Sequence, residues 1–298
     1  MSRGVWYAIG AYLSWGLFPI YWKALHQVPA LELICHRIVW SCLTLYILIA
    51  IRGRWSTFTE AFTQPRVIGL YLIASVLIGI NWLLFIVAVN SGYIIETSLG
   101  YFINPLLSVV LGVIFFKEKL RRLQWVAIGL AAAAVLYLAI VYGALPKYAL
   151  ALALTFSLYG LVKKVAPLGA VVGMTLETTL LLIPGFAYLA WQGHNGQAAY
   201  LHVSQFKLVL LLCSGMVTTL PLLLFAGAAQ RIPLAQIGLL QYMAPTIQFL
   251  LGALMFHERV TAIQLGGYVL VWISLALFGA EGVYHYQKSD LTAEQCAR

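Results

Sequence analysis

The chain has 298 residues, of which 62% are apolar and 9% charged, and its mean hydropathy is +0.92. Soluble domains carry roughly 45–50% apolar and about 25% charged residues, so a water-soluble, disordered or disulfide-scaffold protein is excluded. What remains is a polytopic membrane protein. Long runs without Asp, Glu, Lys or Arg, such as Val67–Ile95 and Thr97–Phe116, match the thickness of a bilayer core. Taken in chain order with the turn signals between them, they predict ten helices, over 4–25, 32–51, 67–89, 94–116, 122–142, 148–165, 170–191, 207–229, 234–256 and 261–281. Charges interrupt three of these: the second holds His36 and Arg37, the sixth Lys163 and Lys164, and the seventh Glu177. A membrane β-barrel would instead show segments of about 10 residues with alternating polarity. The expected fold is an all-α bundle, because lipid forces backbone polar groups to pair within each segment.

The formal charge of +9 reports topology. With ten spans and an internal N-terminus, the inside segments carry Arg3, Arg52, Arg54, Arg66, Lys117, Lys119, Arg121, Arg122, Lys163, Lys164, Arg231, Lys288 and Arg298. The outside loops hold only Lys147, Lys207 and Arg259. This positive-inside bias places both termini in the cytoplasm, and nucleic acid is not an expected partner. The first apolar run is too long for a signal peptide and no small-residue cleavage site follows it, so it reads as an anchor. Cys35, Cys42 and Cys213 lie in spans and Cys296 in the polar tail, which argues against a disulfide framework or a metal site.

An internal repeat is visible at a constant offset of 140. Pro105 meets Pro245, Gly112 meets Gly252, Phe116 meets Phe256, Glu118 meets Glu258 and Gln124 meets Gln264; an offset of 144 brings Trp15-Gly16-Leu17 onto Tyr159-Gly160-Leu161. The expected units are 1–145, 146–281 and a polar tail, 282–298. Each repeat holds five helices, an odd number, so the second copy enters the membrane from the opposite side. Two like halves of opposite orientation have two related arrangements, which is the basis of alternating access around a midplane site.

Particular stretches carry a family resemblance. Ser98-Leu-Gly-Tyr-Phe-Ile-Asn-Pro105, the pair Asn81-Trp82 with Asn90, Phe116-Lys-Glu-Lys-Leu120 followed by Gln124-Trp125, and Gly238-Leu-Leu-Gln-Tyr-Met-Ala-Pro245 resemble the RarD-type permeases of the EamA group in the drug/metabolite transporter superfamily. The resemblance runs over about 4–281, and it departs at Ile86-Val87, where relatives often carry an aromatic. It implies ten helices in a five-plus-five inverted repeat and a bacterial inner-membrane permease that exports a small solute. No cofactor is implied.

Among individual residues, Arg37 and Glu177 are the sharpest pair, 140 apart inside the second helix of each repeat. Charges within spans are costly and usually face the bundle interior. The two read either as a structural ion pair, or as a latch or substrate clamp in which Arg37 holds a carboxylate and Glu177 an amine. Pro105 and Pro245 are expected to break the fourth and ninth helices and to free the carbonyls of Tyr101 and Gln241. Asn104 and Tyr242 lie nearby. Asn81 is a further polar group at depth, able to bond a neighbouring helix. Trp15, Trp82, Tyr101, Tyr159 and Tyr242 are the aromatics expected near a cavity, since they fall in repeat-equivalent helices beside Gly, Asn or Gln. Lys163 and Lys164 read as cytoplasmic anchors, and Glu118 and Glu258 as caps on the turns that follow their helices.

An intramembrane enzyme is the weaker reading, because no catalytic dyad, phosphate loop or metal cluster is present. A channel-like facilitator is another, although no filter-like segment is visible. The expected partners are the lipid bilayer and a small-molecule substrate, with a monomer or homodimer left open.

Overall fold

The computed structural model describes residues 2–90, 94–142, 147–255, 262, 265–267 and 269–281. Among these the chain is helical, with no strand. The helices are α1 (Arg3–Ala24), α2 (Ala30–Ile51), α3 (Trp55–Ala61), α4 (Pro65–Asn90), α5 (Ile94–Phe116), α6 (Arg122–Tyr142), α7 (Lys147–Val165), α8 (Ala170–His194), α9 (Gln205–Ala229), α10 (Leu234–Gln241) and α11 (Met243–Leu254). The last apolar helix, α12, is Leu265–Glu281. Their bounds fall within a few residues of the sequence expectation.

Among the described residues, six stretches are long and apolar enough to cross a membrane: Ala30–Ile51, Pro65–Phe85, Lys147–Val165, Ala170–His194, Gln205–Ala229 and Leu234–Leu254. Shorter apolar helices accompany them. Their outer faces are apolar too; Ile51, Ile140, Ile183 and Leu254 are each at least 70% exposed. Helices that are apolar on every side belong in lipid rather than in water, and the protein is a multi-pass membrane protein.

Three features depart from expectation. The short helix α3, with exposed Trp55, lies where the sequence suggested only a loop. The expected helix over 234–256 is divided at Tyr242, where Pro245 has no N–H to offer the Gln241 carbonyl. Its counterpart Pro105, expected to break the fourth helix, stays within a continuous α5. There a neighbouring helix braces the backbone: a Cβ on Gly238 of α10 would sit 2.5 Å from the Pro105 carbonyl oxygen.

The two halves of the chain pack through one another. In the first half α1 rests on α9 and α11, while in the second half α7 rests on α4 and α5. Helix α2 lies against α8 and α9. Close approach there depends on Gly215, where an added Cβ would run into the backbone of Trp40 and Ser41. The Ser41 hydroxyl donates to the Gly215 carbonyl at 3.1 Å. Buried Tyr12, Tyr159, Phe225 and Leu222 belong to the largest cluster of buried apolar side chains among the described residues, with the Tyr159 and Phe225 rings stacked at 6.1 Å.

Candidate functional site

A cavity of about 430 Å³ lies between the halves. Its walls come from Tyr12 to Trp22 of α1, Ala30 to Arg37 of α2, Ile78 to Phe85 of α4, Gly100 to Asn104 of α5, Leu152 and Phe156 of α7, Leu222 of α9, and Gln241 to Gln248 across the α10–α11 break. These residues occupy the ends of α1, α2, α4 and α5 nearest the α1–α2 turn. Cavities of this size, mostly ring-lined with a few polar groups, suit small amphipathic molecules.

Arg37 is the one charged residue among the described residues of the lining. Its guanidinium carbon sits 5.0 Å from the Trp22 ring centre and 4.8 Å from that of Trp82, so it lies between two indole faces. Nε donates to Thr218 Oγ1 at 3.0 Å. No carboxylate pairs with Arg37 among the described residues.

Amides complete the polar lining. Asn81 Nδ2 donates to the Leu152 carbonyl at 2.8 Å and to Thr155 Oγ1 at 2.9 Å, tying α4 to α7. Asn104 Oδ1 accepts from Ser157 at 2.6 Å. Gln248 Nε2 donates to the Trp15 carbonyl at 3.1 Å. Gln241 Oε1 and the Tyr12 hydroxyl are buried without a hydrogen-bond partner among the described residues, an uncommon and costly condition for polar atoms. Trp15, Trp82 and Tyr101 supply ring surface, and Pro245 lies in the wall beside the helix break.

Not every residue singled out from sequence reaches this cavity. Pro105, Tyr159, Tyr242 and Glu177 lie outside its lining. Tyr242 is fully buried and donates to the Phe102 carbonyl at 3.0 Å. Tyr159 donates to Glu177 Oε2 at 3.1 Å. The expected pairing of Arg37 with Glu177 is absent. Glu177 instead binds Lys163 Nζ at 2.7 Å, with both side chains at most 2% exposed. Lys163, read from sequence as a cytoplasmic anchor, is therefore an interior charge; its four-carbon stem carries the ammonium inward between the Tyr71 and Tyr159 rings to the carboxylate that makes its burial tolerable. Trp22, Phe156, Gln248 and Tyr12 were not anticipated. For Gln248, a lone amide in an apolar run was the available signal; rings in a ring-rich chain gave none.

The far end of the bundle is closed by polar contacts. Glu118 accepts from the backbone N–H of Leu234 at 2.8 Å and of Ala235 at 3.0 Å, capping α10, whose own N-cap is Pro233. This corrects the expectation that Glu118 caps the turn following its own helix: the free N–H groups it satisfies belong to the other half. Lys164 approaches Glu118 at 3.5 Å and donates to the Ile232 carbonyl at 2.8 Å. Glu258 and the tail lie outside the described residues. At the cavity end, fully buried Glu32 accepts from the Ala199 N–H at 2.8 Å.

A helical membrane protein that encloses a ring- and amide-lined cavity between two interleaved halves belongs to the class of polytopic membrane carriers or facilitators. Comparison with known proteins narrows the class. The EamA-like transporter family model matches residues 2–140. The chain is 45% identical over 281 residues to the uncharacterized transporter YojE of Bacillus subtilis, covering 93% of each. It is 41% identical to Protein RarD of Streptomyces exfoliatus, over 99% of this chain and 93% of that one. It is 39% identical to Protein RarD of Escherichia coli, covering 97% of each. A solved crystal structure at 17% identity superposes with a TM-score of 0.69 over 93% of this chain and 97% of its own, which speaks for the fold. The chain belongs to the RarD-type group of the EamA-like transporter family and is a membrane transporter of the drug/metabolite type.

Proposed function

We propose that the protein is a bacterial inner-membrane secondary transporter that carries a small organic solute by alternating access through the Arg37 cavity. In this reading ten spans form a five-plus-five inverted repeat, 1–145 and 146–281, with a tail at 282–298 and both termini cytoplasmic. The observation that carries it is the exchange in packing: α1 rests on α9 and α11, and α7 rests on α4 and α5; α1 and α7 are equivalents at the offset of 144, and α9 and α11 match α4 and α5 at the offset of 140. Halves related in this way have a second arrangement with the contacts exchanged.

The placement of the cavity supports the same reading. With Arg3 on the cytoplasmic side, the lining residues fall in the periplasmic half of α1, α2, α4 and α5. The cytoplasmic end is then held by Glu118 at the α10 N-terminus, by Lys164, and by the Lys163–Glu177 pair. Transport requires these contacts to part while the Glu32 end closes. Export is the direction the resemblance implies.

Counterflow in proteoliposomes tests the proposal, using a panel of mass-traced organic solutes with and without an imposed pH gradient. Saturable counterflow of at least one solute is expected. Uptake that rises linearly with concentration and shows no counterflow identifies a pore and overturns the carrier reading.

A further inference from the structure

We propose that the cavity selects organic monoanions, carboxylates on a flat apolar body, over neutral, zwitterionic and cationic molecules of the same shape. This deepens the transporter reading and rests on it for the site's purpose, though not for its binding preference.

A guanidinium keeps its proton in proteins, so Arg37 brings one positive charge into a mostly apolar cavity. Its Nε is held by Thr218, while its plane is held by Trp22 and Trp82. That leaves the terminal nitrogens as a fixed fork, the geometry that suits a carboxylate. Glu177, the acidic residue at the repeat-equivalent position, is committed to Lys163 at 2.7 Å and does not line the cavity. The neutralising charge is therefore left for the ligand to bring.

The same inventory disfavours an ammonium. The described lining holds no carboxylate to receive one. Two of the three indoles that line the cavity, Trp22 and Trp82, whose faces attract cations, already hold Arg37. Asn81 and Asn104 spend one amide group each on the protein. The rest of the polar lining is neutral: the Tyr12 and Tyr101 hydroxyls and the amides of Asn81, Asn104, Gln241 and Gln248, of which Gln241 Oε1 and the Tyr12 hydroxyl have no partner among the described residues. A zwitterion would satisfy Arg37 while leaving its own cation poorly solvated.

Binding to the purified full-length protein in detergent tests this with four probes that share one ring and chain: 3-phenylpropanoate, 3-phenylpropanamide, 3-phenylpropylamine and L-phenylalanine. Equilibrium dialysis reads each affinity. The carboxylate is expected to bind about ten- to a hundredfold more tightly than the amide, the span of a charge-assisted bond, with the amine weakest. Arg37→Gln removes that difference, and Arg37→Lys retains part of it. Size-exclusion profiles show which variants fold, and the wild-type comparison stands without them. Absence of carboxylate binding, equal or tighter binding of the amide, amine or zwitterion, or an anion preference that survives in folded Arg37→Gln each overturns the proposal. Tight carboxylate binding without counterflow leaves the anion preference intact and overturns the carrier reading instead.

Discussion

Lys163 and Glu177 sit 2.7 Å apart with at most 2% of either side chain exposed, and they illustrate how a single residue's role depends on its partner. A lone charge at this depth is expensive, and breaking a buried pair costs about 3–5 kcal/mol, whereas replacing both members with apolar groups is often nearly neutral. Glu177→Gln and Lys163→Met are therefore each expected to lower thermal stability in detergent, and Glu177→Leu combined with Lys163→Met to recover most of the loss. Thermal size-exclusion profiles of the three proteins check this; wild-type stability in both single variants would contradict it. Glu177 was legible in the sequence as an interior charge because a carboxylate inside an apolar run has few other places to go. Its partner was not legible. Lys163 lies near a helix end, where a flexible lysine ordinarily reaches out toward water, and no spacing rule says that this one turns inward past Tyr71 and Tyr159. Arg37 followed the opposite course: it was read as an interior charge, and its contacts are two indoles and a threonine instead of an acid.

Elements were more legible than contacts. Helix positions follow from apolar run length, since a bilayer sets how many residues a span needs, and the described helices lie close to the expected bounds. The α10–α11 break was anticipated from Pro245, yet the matching Pro105 left α5 whole. The same removed N–H thus has different outcomes in the two helices. Dependence on a neighbour is clear at the α2–α9 crossing, where Gly215 leaves no room for a side chain beside Trp40 and Ser41. Gly215→Ala is expected to destabilise the bundle by about 1–3 kcal/mol, the usual range for overpacking. A chemical denaturation series in detergent measures it. Gly129, which has nothing within 4 Å of an added Cβ, serves as the control, and Gly129→Ala is expected to be silent. Equal behaviour of the two variants would show that the close approach does not govern stability.

At the scale of the molecule, the proposed topology makes a prediction about sides. In an inverted repeat, positions 119 and 259 end equivalent helices on opposite faces of the membrane. Lys119→Cys and Arg259→Cys, made separately with the native cysteines replaced by serine, are expected to react with a membrane-impermeant maleimide from opposite compartments, 119 from the cytoplasmic side. Labelling of both from one side would remove the inverted repeat. Composition and pattern alone determined that the chain is a helical membrane protein and where its described helices run. These are properties a sequence carries locally, because lipid imposes span length and backbone pairing on every segment separately. Tertiary structure decided that Arg37 faces a cavity without an acid, that Glu177 belongs to Lys163, and that Glu118 caps a helix more than a hundred residues away. Those outcomes depend on which buried polar groups are brought within reach of one another among helices distant in sequence, and that is settled only when the two halves interleave.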